Sequence, residues 1–566
     1  MFRKCLSILF SLIVVVSIFT TIPFSANAKE VHAADTGVAN GEVGIWSWTL
    51  DDDNVLTISG YGDMMDFDRG SLPWSNYVNT ITKVIINDGI TSIGSCSFCD
   101  FNKLNSVIIS DSVTRIGDGA FCECGSLSSV TIPDSVKTIG NNAFVNCTGL
   151  TSVSIGNSVS SISEYAFAHC ESLSSVTIPD SVITIGDDAF YCCGLTSVSI
   201  GNSVTNIGSD AFSGCYNLSS LSIGNSVTSI GAGAFDDCNK LTEVSIPDSV
   251  MSIGEYAFDH TAWYDNQPDG LVYAGNVAYK MKGNDCPSEI KIKDYIVGIA
   301  GYAFQNCNFS SVIIPDSVTS IGNYAFYRCS NLKSITIPSS VTSIGLNAIG
   351  FSRPGRKIKG FTIYGYSGTI SETYANENGF PFIALSDITD NNTNIVLSVP
   401  KDTTVHVKEQ TEELSGSFPD GSTSIAAYDI SLKNGEETVQ PQNAVTVKIP
   451  CANMKAKVYR KEANGTYTNM DAVYRDGYLI FITNHFSCYV IAADRILGDI
   501  DCNGEIEIRD TTFIQRKIAD IILPFTIVNE TADIDGDKQV TLMDATLIQR
   551  WLANLKSNDN IGKQIG

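Results

Sequence analysis

The stretch Leu127-Ser-Ser-Val130-Thr-Ile132-Pro-Asp-Ser-Val136-Lys-Thr-Ile139-Gly-Asn-Asn-Ala143-Phe144-Val-Asn-Cys147 decides the fold of this chain. Val130 and Ile132 alternate with polar residues, which predicts a short strand with one buried face, and the Pro-Asp pair that follows predicts a turn. The rest of the stretch turns its apolar residues inward on the way back. One such unit cannot bury its apolar face alone, so neighbouring units must cover it.

A phenylalanine near the end of the unit shows how often the unit recurs. The spacing is 22 or 23 residues, at Phe98, Phe121, Phe144, Phe167, Phe190, Phe212, Phe235 and Phe258, and the same phase resumes at Phe304, Phe326 and Ile349. This period is in the range of leucine-rich repeats, whose units stack into a solenoid. Residues 263–299 break the period, which indicates either an expanded repeat or a dedicated binding insertion.

The 17 cysteines also follow the repeat. Eight of them stand three residues after a repeat phenylalanine, namely Cys124, Cys147, Cys170, Cys193, Cys215, Cys238, Cys307 and Cys329. A regular column of this kind indicates buried thiols that pack as small apolar side chains, although many cysteines in an exported protein ordinarily indicate a disulfide framework. Cys451 and Cys488 lie outside the repeats and are the best candidates for a disulfide bond.

The repeats resemble the BspA-like leucine-rich repeats of bacterial surface proteins, whose unit reads much like L-x-x-V-x-I-P-x-S-V-x-x-I-G-x-x-A-F-x-x-C. The resemblance covers about half of the chain and implies a solenoid with a cap at each end. Residues 46–60 read as a β-hairpin and look like the usual N-terminal cap of this family. Residues 361–385, with a short helix over 371–377, are expected to close the other end.

Two acidic loops near the C-terminus carry the chemistry. The first runs Asp499-Ile-Asp501-Cys-Asn503-Gly-Glu505-Ile-Glu507-Ile-Arg-Asp510, and the second runs Asp533-Ile-Asp535-Gly-Asp537-Lys538-Gln539-Val-Thr541-Leu-Met-Asp544. Both place oxygen donors at loop positions 1, 3, 5, 9 and 12, with a main-chain carbonyl available at position 7. This is the ligand spacing of EF-hand loops, so we predict two calcium ions.

Lys538 stands where the turn glycine of the second loop would be expected. A lysine there must take a left-handed conformation at a cost of roughly 1 kcal/mol. We therefore expect the second loop to be somewhat less tightly organised than the first.

Each loop leads into a helix of similar sequence with one apolar face. No convincing helix precedes the first loop, and position 12 is Asp where sensor EF-hands carry Glu. The duplicated pair resembles a type I dockerin, a calcium-dependent module that binds cohesins on scaffolding proteins. By family position the cohesin-binding residues would be Ile508, Arg509, Gln515 and Arg516 in one half, and Leu542, Met543, Gln549 and Arg550 in the other. A calcium-stabilised domain without a partner is the alternative.

The predicted fold class is mainly β: a leucine-rich-repeat solenoid, then a β-sandwich, then a small α-helical dockerin with two EF-hand-like loops. Seven short strands between residues 395 and 492 predict the sandwich, and the polar residues 386–394 read as a linker. The predicted segments are 1–28, a signal peptide; 36–80, the N-terminal cap; 81–360, the repeats; 361–386, the C-terminal cap; 387–494, the sandwich; and 495–558, the dockerin.

Composition restricts the location and the partners. The signal peptide predicts secretion, and no later stretch is long and apolar enough to span a bilayer. We expect the protein to be extracellular and held at a cell surface through a scaffold. A formal net charge of −25 argues against nucleic acid or an anionic membrane as partner.

One further surface could bind a ligand. A column of hydroxyl side chains is predicted on the outward strand face, at Thr131, Ser154, Thr177, Ser199, Ser222 and Ser245. It could bind a glycan or a protein, or it could simply be a solvated strand surface.

The sequence thus predicts a non-catalytic adaptor that docks into a polysaccharide-degrading complex or acts in adhesion. The five histidines are scattered, and no H-E-x-x-H, G-x-S-x-G or P-loop motif is present. The alternatives are a free-standing adhesin whose dockerin is only structural, and an accessory carbohydrate-active protein.

Overall fold

The computed structural model describes residues 39–565 except 284–285, 402, 411–422, 435–436, 442–444, 452–454, 476, 494, 497–505, 519–531, 536–537, 554–560 and 562–563. The predicted signal peptide, residues 1–28, lies outside this range. The chain forms two compact units, Met1–Gly201 and Asn202–Gly566.

The first unit begins with the predicted hairpin. Trp46–Leu50 pairs antiparallel with both Ala39–Val43 and Val55–Gly60. Trp46 and Trp48 are buried and pack on Trp74, with ring centroids 6.2 and 6.0 Å away. Trp74 in turn stacks on the first repeat phenylalanine, so aromatic rings cover the apolar end of the repeats.

Each repeat of the first unit contributes two strands, and each of them pairs in parallel with the equivalent strand of a neighbouring repeat. The longer strands are Lys83–Ile86, Ser106–Ile109, Ser129–Thr131, Ser152–Ser154, Ser175–Ile178 and Ser197–Ile200. The shorter strands are Ile90–Ile93, Arg115–Ile116, Thr138–Ile139, Ser161–Ile162 and Thr184–Ile185, and the segment before the repeats contains Gly62–Asp63 and a 3-10 turn at Ser75–Tyr77. Equivalent residues pair between neighbouring repeats, as Val130 does with Val153 and Ile139 with Ile162.

The core of these repeats is the predicted phenylalanine column. Phe98, Phe121, Phe144, Phe167 and Phe190 are each fully buried. Their rings stack at centroid distances of 5.2 to 5.3 Å. The repeat period therefore places identical rings against one another along the solenoid.

The cysteine column is buried as predicted, and none of its eight members is disulfide-bonded. The thiol of Cys147, for example, donates to the carbonyl oxygen of Phe121 at 3.2 Å. Burial raises the pKa of Cys193 well above its usual value, which keeps that side chain protonated and apolar.

The predicted Cys451–Cys488 disulfide bond is wrong. Cys451 follows a strand of one sheet of the sandwich, whereas Cys488 begins a strand of the other sheet. The structure instead joins Cys99 to Cys122, which are 23 residues apart. One repeat separates these two residues, so they occupy the same position on adjacent coils.

The second unit continues with the same two kinds of strand. The longer ones are Ser220–Ser222, Glu289–Lys291, Ser311–Ile313 and Ser334–Thr336. The shorter ones are Asn206–Ile207, Ser229–Ile230, Ser252–Ile253, Gly298–Ile299, Ser320–Ile321 and Ser343–Ile344.

The segment that breaks the period folds as an expanded repeat. It forms a short helix, Ala262–Asp265, and an antiparallel hairpin of Gly270–Ala274 and Val277–Lys282. The second hairpin strand pairs in parallel with Gly298–Ile299, the short strand of the next regular repeat.

The C-terminal cap contains the strands Phe351–Arg353, Arg356–Lys357 and Thr362–Tyr366 and the helix Ile370–Asn378. The next strand, Phe382–Thr389, pairs in parallel with Thr362–Tyr366 and antiparallel with Val396–Pro400 of the sandwich. The predicted linker at 386–394 is therefore wrong for its first four residues, which belong to a strand. Their polar side chains suggested a linker. In the strand, however, the Asp387 carboxylate accepts hydrogen bonds from Tyr366 and Ser398, so a polar residue is accommodated there.

Two sheets form the sandwich around one apolar core, and the strands of the sandwich itself pair antiparallel. Its strands are Val396–Pro400, Thr404–Glu409, Thr423–Asn434, Glu437–Val439, Val445–Pro450, Lys457–Lys461, Tyr467–Asn469, Val473–Arg475, Tyr478–Thr483 and Cys488–Ala493. Beyond it lie the helices Ile508–Ile518 and Leu542–Leu552 and a two-stranded pairing of Arg495–Ile496 with Gln564–Ile565.

Candidate metal centre and binding faces

Three carboxylates of the second acidic loop converge. One oxygen from each of Asp533, Asp535 and Asp544 lies within 4.8 Å of the others. Asp544 is fully buried, in the first turn of the helix Leu542–Leu552. The structure thus brings together loop positions 1, 3 and 12, while Asp537 lies outside the described residues.

Hydrogen bonds hold the loop to the start of this helix. The Asp544 carboxylate accepts from the backbone N–H of Ile534 at 2.6 Å and from that of Thr541 at 2.8 Å. The Thr541 hydroxyl oxygen accepts from the N–H of Met543, which completes a capping box. The carboxylate at position 12 therefore ties both ends of the loop together.

Lys538 adopts the left-handed conformation that its position demands, with φ of +68°. Its backbone N–H donates to Asp533 Oδ2 at 2.8 Å. The predicted left-handed conformation of Lys538 is confirmed and is accompanied by a hydrogen bond across the loop, while the looser organisation expected of this loop stays a prediction.

The described part of the first loop repeats this pattern. Asp510 is fully buried, and its carboxylate accepts from the N–H of Glu507 at 2.7 Å, as Asp544 does from Thr541. Asp499, Asp501, Asn503 and Glu505 lie outside the described residues. The two halves share one core, in which Ile514 packs with Ile534 and Ile548.

The donor set of the second loop fits calcium. Three carboxylates in so small a space repel one another unless a cation lies between them. Carboxylate, hydroxyl and main-chain carbonyl oxygens are the ligands that calcium prefers. Thr541 and Gln539 stand at positions where they can complete such a shell.

Apolar side chains beside both loops are exposed to solvent. Ile508 is 62% exposed, Leu542 60% and Met543 57%. Of the other predicted cohesin-binding residues, Gln515, Gln549 and Arg550 are exposed, Arg516 is half-buried, and the side chain of Arg509 is not among those described. Large exposed apolar groups on a small domain are typical of a protein-binding surface.

Five of the six residues of the predicted hydroxyl column lie on strands, whereas Ser245 lies outside any strand. Thr131, Ser154, Thr177, Ser199, Ser222 and Ser245 are all exposed. In the first unit Thr131 pairs with Ser154, and Thr177 with Ser199, so the hydroxyl groups are in register. Whether this face binds a ligand stays a prediction.

One side-chain group was missed by the sequence reasoning. Asp236, Asp237 and His260 lie together in repeat turns of the second unit, with His260 Nδ1 2.8 Å from Asp236 Oδ1. Hydrogen bonding to Asp236 raises the pKa of His260. Little in the sequence indicated this group, because His260 stands a full repeat away from the two aspartates.

These features define a class of protein, a repeat solenoid joined to a module with an acidic, EF-hand-like loop. The model of the BspA type leucine-rich repeat region matches residues 75–182, 137–263 and 279–376, in six copies, and that of the dockerin type I domain matches residues 497–559. The repeat matches cover just over half of the chain. The chain therefore belongs to the BspA-type leucine-rich repeat family, and it carries a type I dockerin domain.

Several solved structures are similar. A leucine-rich repeat protein from Eubacterium ventriosum is 23% identical over 58% of this chain and 73% of its own, with a TM-score of 0.29. One from Bacteroides ovatus is 22% identical over 55% and 77%, with a TM-score of 0.32. A leucine-rich cell surface protein from Faecalibacterium prausnitzii is 25% identical over 61% and 93%, with a TM-score of 0.29. No curated protein matches the chain.

The families found are binding modules, and type I dockerins bind calcium and imply a cohesin partner. Proteins built from them are typically extracellular or surface-associated. None of the helices in the described part of the chain has both the length and the apolar character needed to cross a membrane.

Proposed function

We propose that this protein is a secreted, non-catalytic adaptor, which docks onto a cohesin-bearing scaffold through two calcium-loaded loops while its repeats present a binding surface. The convergence of Asp533, Asp535 and Asp544 within a dockerin-matched segment carries the proposal. The ligand set would be Asp499, Asp501, Asn503, Glu505, Glu507 and Asp510 in one loop and Asp533, Asp535, Asp537, Gln539, Thr541 and Asp544 in the other.

Calcium, when bound, supplies the positive charge that lets these carboxylates share one small space. Residues of the chain then connect the ordered loop to the exposed surface beside it. Asp544 is hydrogen-bonded both to the loop, at Ile534, and to the helix start, at Thr541. A loop held in this way fixes the direction of the helix and of the exposed pair Leu542 and Met543 that begins it.

The cohesin-facing surface would contain equivalent residues from both halves. Ile508 and Leu542 each stand at position 10 of their loop, and both are exposed. Because the halves present matching apolar groups, either could face the cohesin. Exposed Gln515, Gln549 and Arg550 would surround this apolar centre with hydrogen-bond donors.

The repeats would supply the cargo side of the adaptor. The in-register hydroxyl groups of the outward strand face offer donors and acceptors to a protein or a glycan. The setting would be a polysaccharide-degrading complex or a cell surface, where a scaffold gathers proteins of different function.

Titration calorimetry of the full chain against a panel of type I cohesins, with calcium and then with EDTA, tests this proposal. We expect tight binding of at least one cohesin that EDTA abolishes. Asp533→Ala combined with Asp499→Ala should abolish binding, whereas Asp111→Ala, an exposed carboxylate of the repeats, should leave it unchanged. Calcium uptake without binding of any cohesin would overturn the adaptor role.

A further inference from the structure

The expanded repeat interrupts one of the strand ladders of the second unit. Ser252–Ile253 is the last strand of its ladder and pairs with Ser229–Ile230. The next short strand, Gly298–Ile299, pairs instead with the inserted Val277–Lys282 and with Ser320–Ile321. Where the two ladders meet, a cleft of about 370 Å³ opens.

Small polar side chains line the cleft together with glycines and three isoleucines. Ser252 and Glu255 line one side, and Ser320, Asn323 and Ser343 line the other. Gly301 lies at the same place, and a side chain there would begin 3.2 Å from the Cβ atom of Glu255. The absence of a side chain at Gly301 therefore keeps the space beside this carboxylate open.

Among the described residues, Glu255 is the one acid that lines the cleft, and it forms no salt bridge. Its Oε2 atom is buried and accepts no hydrogen bond. No lysine or arginine of the described residues forms an ion pair with it. Burial, and then the nearby Asp210, raises the pKa of this carboxyl. A buried oxygen without a partner is uncommon in folded proteins and calls for an explanation.

We propose that this cleft binds a cationic side chain of a partner protein, an arginine or a lysine, with Glu255 as its counter-ion. Rotation about the last torsion of a glutamate side chain is nearly free, so either oxygen can turn toward the cleft. A guanidinium would engage both oxygens, and an ammonium one. The serine hydroxyl oxygens around the rim can accept hydrogen bonds from the remaining N–H groups.

The strong negative charge of the chain favours such a partner, because it attracts cationic surfaces over a distance. The site lies in the repeats, apart from the calcium loops. It would therefore add an electrostatic contact for a protein held by the solenoid, and its failure would leave the adaptor proposal intact.

The same repeat position elsewhere provides a matched control. Glu164 occurs in Ser161-Ile-Ser-Glu164-Tyr, as Glu255 does in Ser252-Ile-Gly-Glu255-Tyr. In that repeat the ladder is unbroken, since Ser161–Ile162 pairs with Thr184–Ile185, and Glu164 is exposed. Glu164 thus has nearly the same neighbours in sequence, with Ser163 in place of Gly254, and lies in an uninterrupted ladder.

The test uses saturation-transfer NMR on the calcium-loaded full chain. The probes are N-acetyl-arginine amide, N-acetyl-lysine amide and the neutral isostere N-acetyl-citrulline amide. We expect both cationic probes to bind at least about tenfold more tightly than citrulline, since a charge-assisted hydrogen bond exceeds a neutral one by this order. The ratio of arginine to lysine affinity shows which side chain the cleft prefers.

Glu255→Gln should remove the preference for the cationic probes, and Glu164→Gln should retain it. Ser343→Lys should also remove it, because the new ammonium reaches the cleft from the opposite wall. Equal binding of citrulline and arginine, or an unchanged preference in folded Glu255→Gln, would overturn the proposal. Cohesin binding by each variant, measured in parallel, should stay at the wild-type level.

Discussion

Lys538 adopts a left-handed backbone conformation that a lysine ordinarily avoids. Its φ of +68° lies in the left-handed region that favours glycine. The hydrogen bond from its N–H to Asp533 at 2.8 Å uses that conformation to close the loop. The position therefore combines a conformational cost with a contact that calcium binding would reinforce.

Replacing Lys538 with glycine should strengthen the second loop. Removal of the Cβ atom relieves roughly 1 kcal/mol of backbone strain, so calcium should bind this loop severalfold more tightly. Calorimetric calcium titration of Lys538→Gly, with Lys455→Gly as an unrelated control, measures the change. A weaker affinity would show that the lysine side chain itself contributes to the loop.

Glu255 should lower the stability of the fold at neutral pH. Its folded-state pKa is raised by burial, so the folded state holds the charged form at a cost that disappears as the carboxyl becomes protonated. Glu255→Gln should therefore unfold at a higher temperature than the wild type at pH 7. The difference should shrink as the pH falls through the raised pKa of Glu255, and Glu164→Gln should show no such gain.

At the scale of the repeat, the phenylalanine that recurs once per unit forms the centre of the core. Phe144 is fully buried and stacks on Phe121 and Phe167 at centroid distances of 5.3 and 5.2 Å. Both strands of a repeat are only two to four residues long, and such short strands gain little stability from their own hydrogen bonds. The stacked core therefore contributes most of the stability that a repeat has.

Phe144→Ala should destabilise the repeats by about 3–5 kcal/mol, because it removes a fully buried aromatic side chain and leaves a cavity. Urea denaturation followed by circular dichroism measures the loss. Thr131→Ala, on the exposed face of the same repeat, should change the free energy of unfolding by less than about 0.5 kcal/mol. A loss below about 1 kcal/mol for Phe144→Ala would contradict the role given to the stack.

At the scale of the whole molecule, the sandwich is continuous with the repeats of the second unit through a shared sheet. One seven-stranded sheet contains the last repeat strand, the cap and half of the sandwich. Lys291, on the outward strand face, donates to the carbonyl oxygen of Met470 in the sandwich at 3.2 Å. Ile313, at the next outward position, is buried. The face that presents hydroxyl groups in the earlier repeats is thus covered here by the chain itself.

This continuity predicts that the cap cannot be separated from the sandwich. A chain that ends at Ser386 is cut inside the strand Phe382–Thr389 and loses the hydrogen bond from Tyr366 to Asp387. It should unfold at a lower temperature than a chain ending at Ala493, and it should aggregate through the exposed strand edge. Calorimetry and light scattering of the two chains test this, and equal melting temperatures would count against it.

The repeats and the acidic loops could be predicted because both depend on local spacing. The period of Phe144 and its equivalents, and the alternation of Val130 with polar residues, place the same side chains inside in every coil. Likewise, the ligand spacing from Asp533 to Asp544 is a property of one loop. In the repeats each residue packs against its equivalent one period away, and in the loop the ligands lie within twelve residues, so the local pattern was sufficient.

Contacts between distant segments were decided only by the tertiary structure. The pairing of Cys99 with Cys122, the strand that replaces the predicted linker at 386–389, and the cover over Ile313 depend on which coil or sheet lies alongside. The cleft at Glu255 is the clearest case. Its sequence differs little from that around Glu164, yet an insertion further along the chain breaks the ladder beside it. Only the folded chain shows that one buried oxygen of this carboxylate has no hydrogen-bond donor among the described residues.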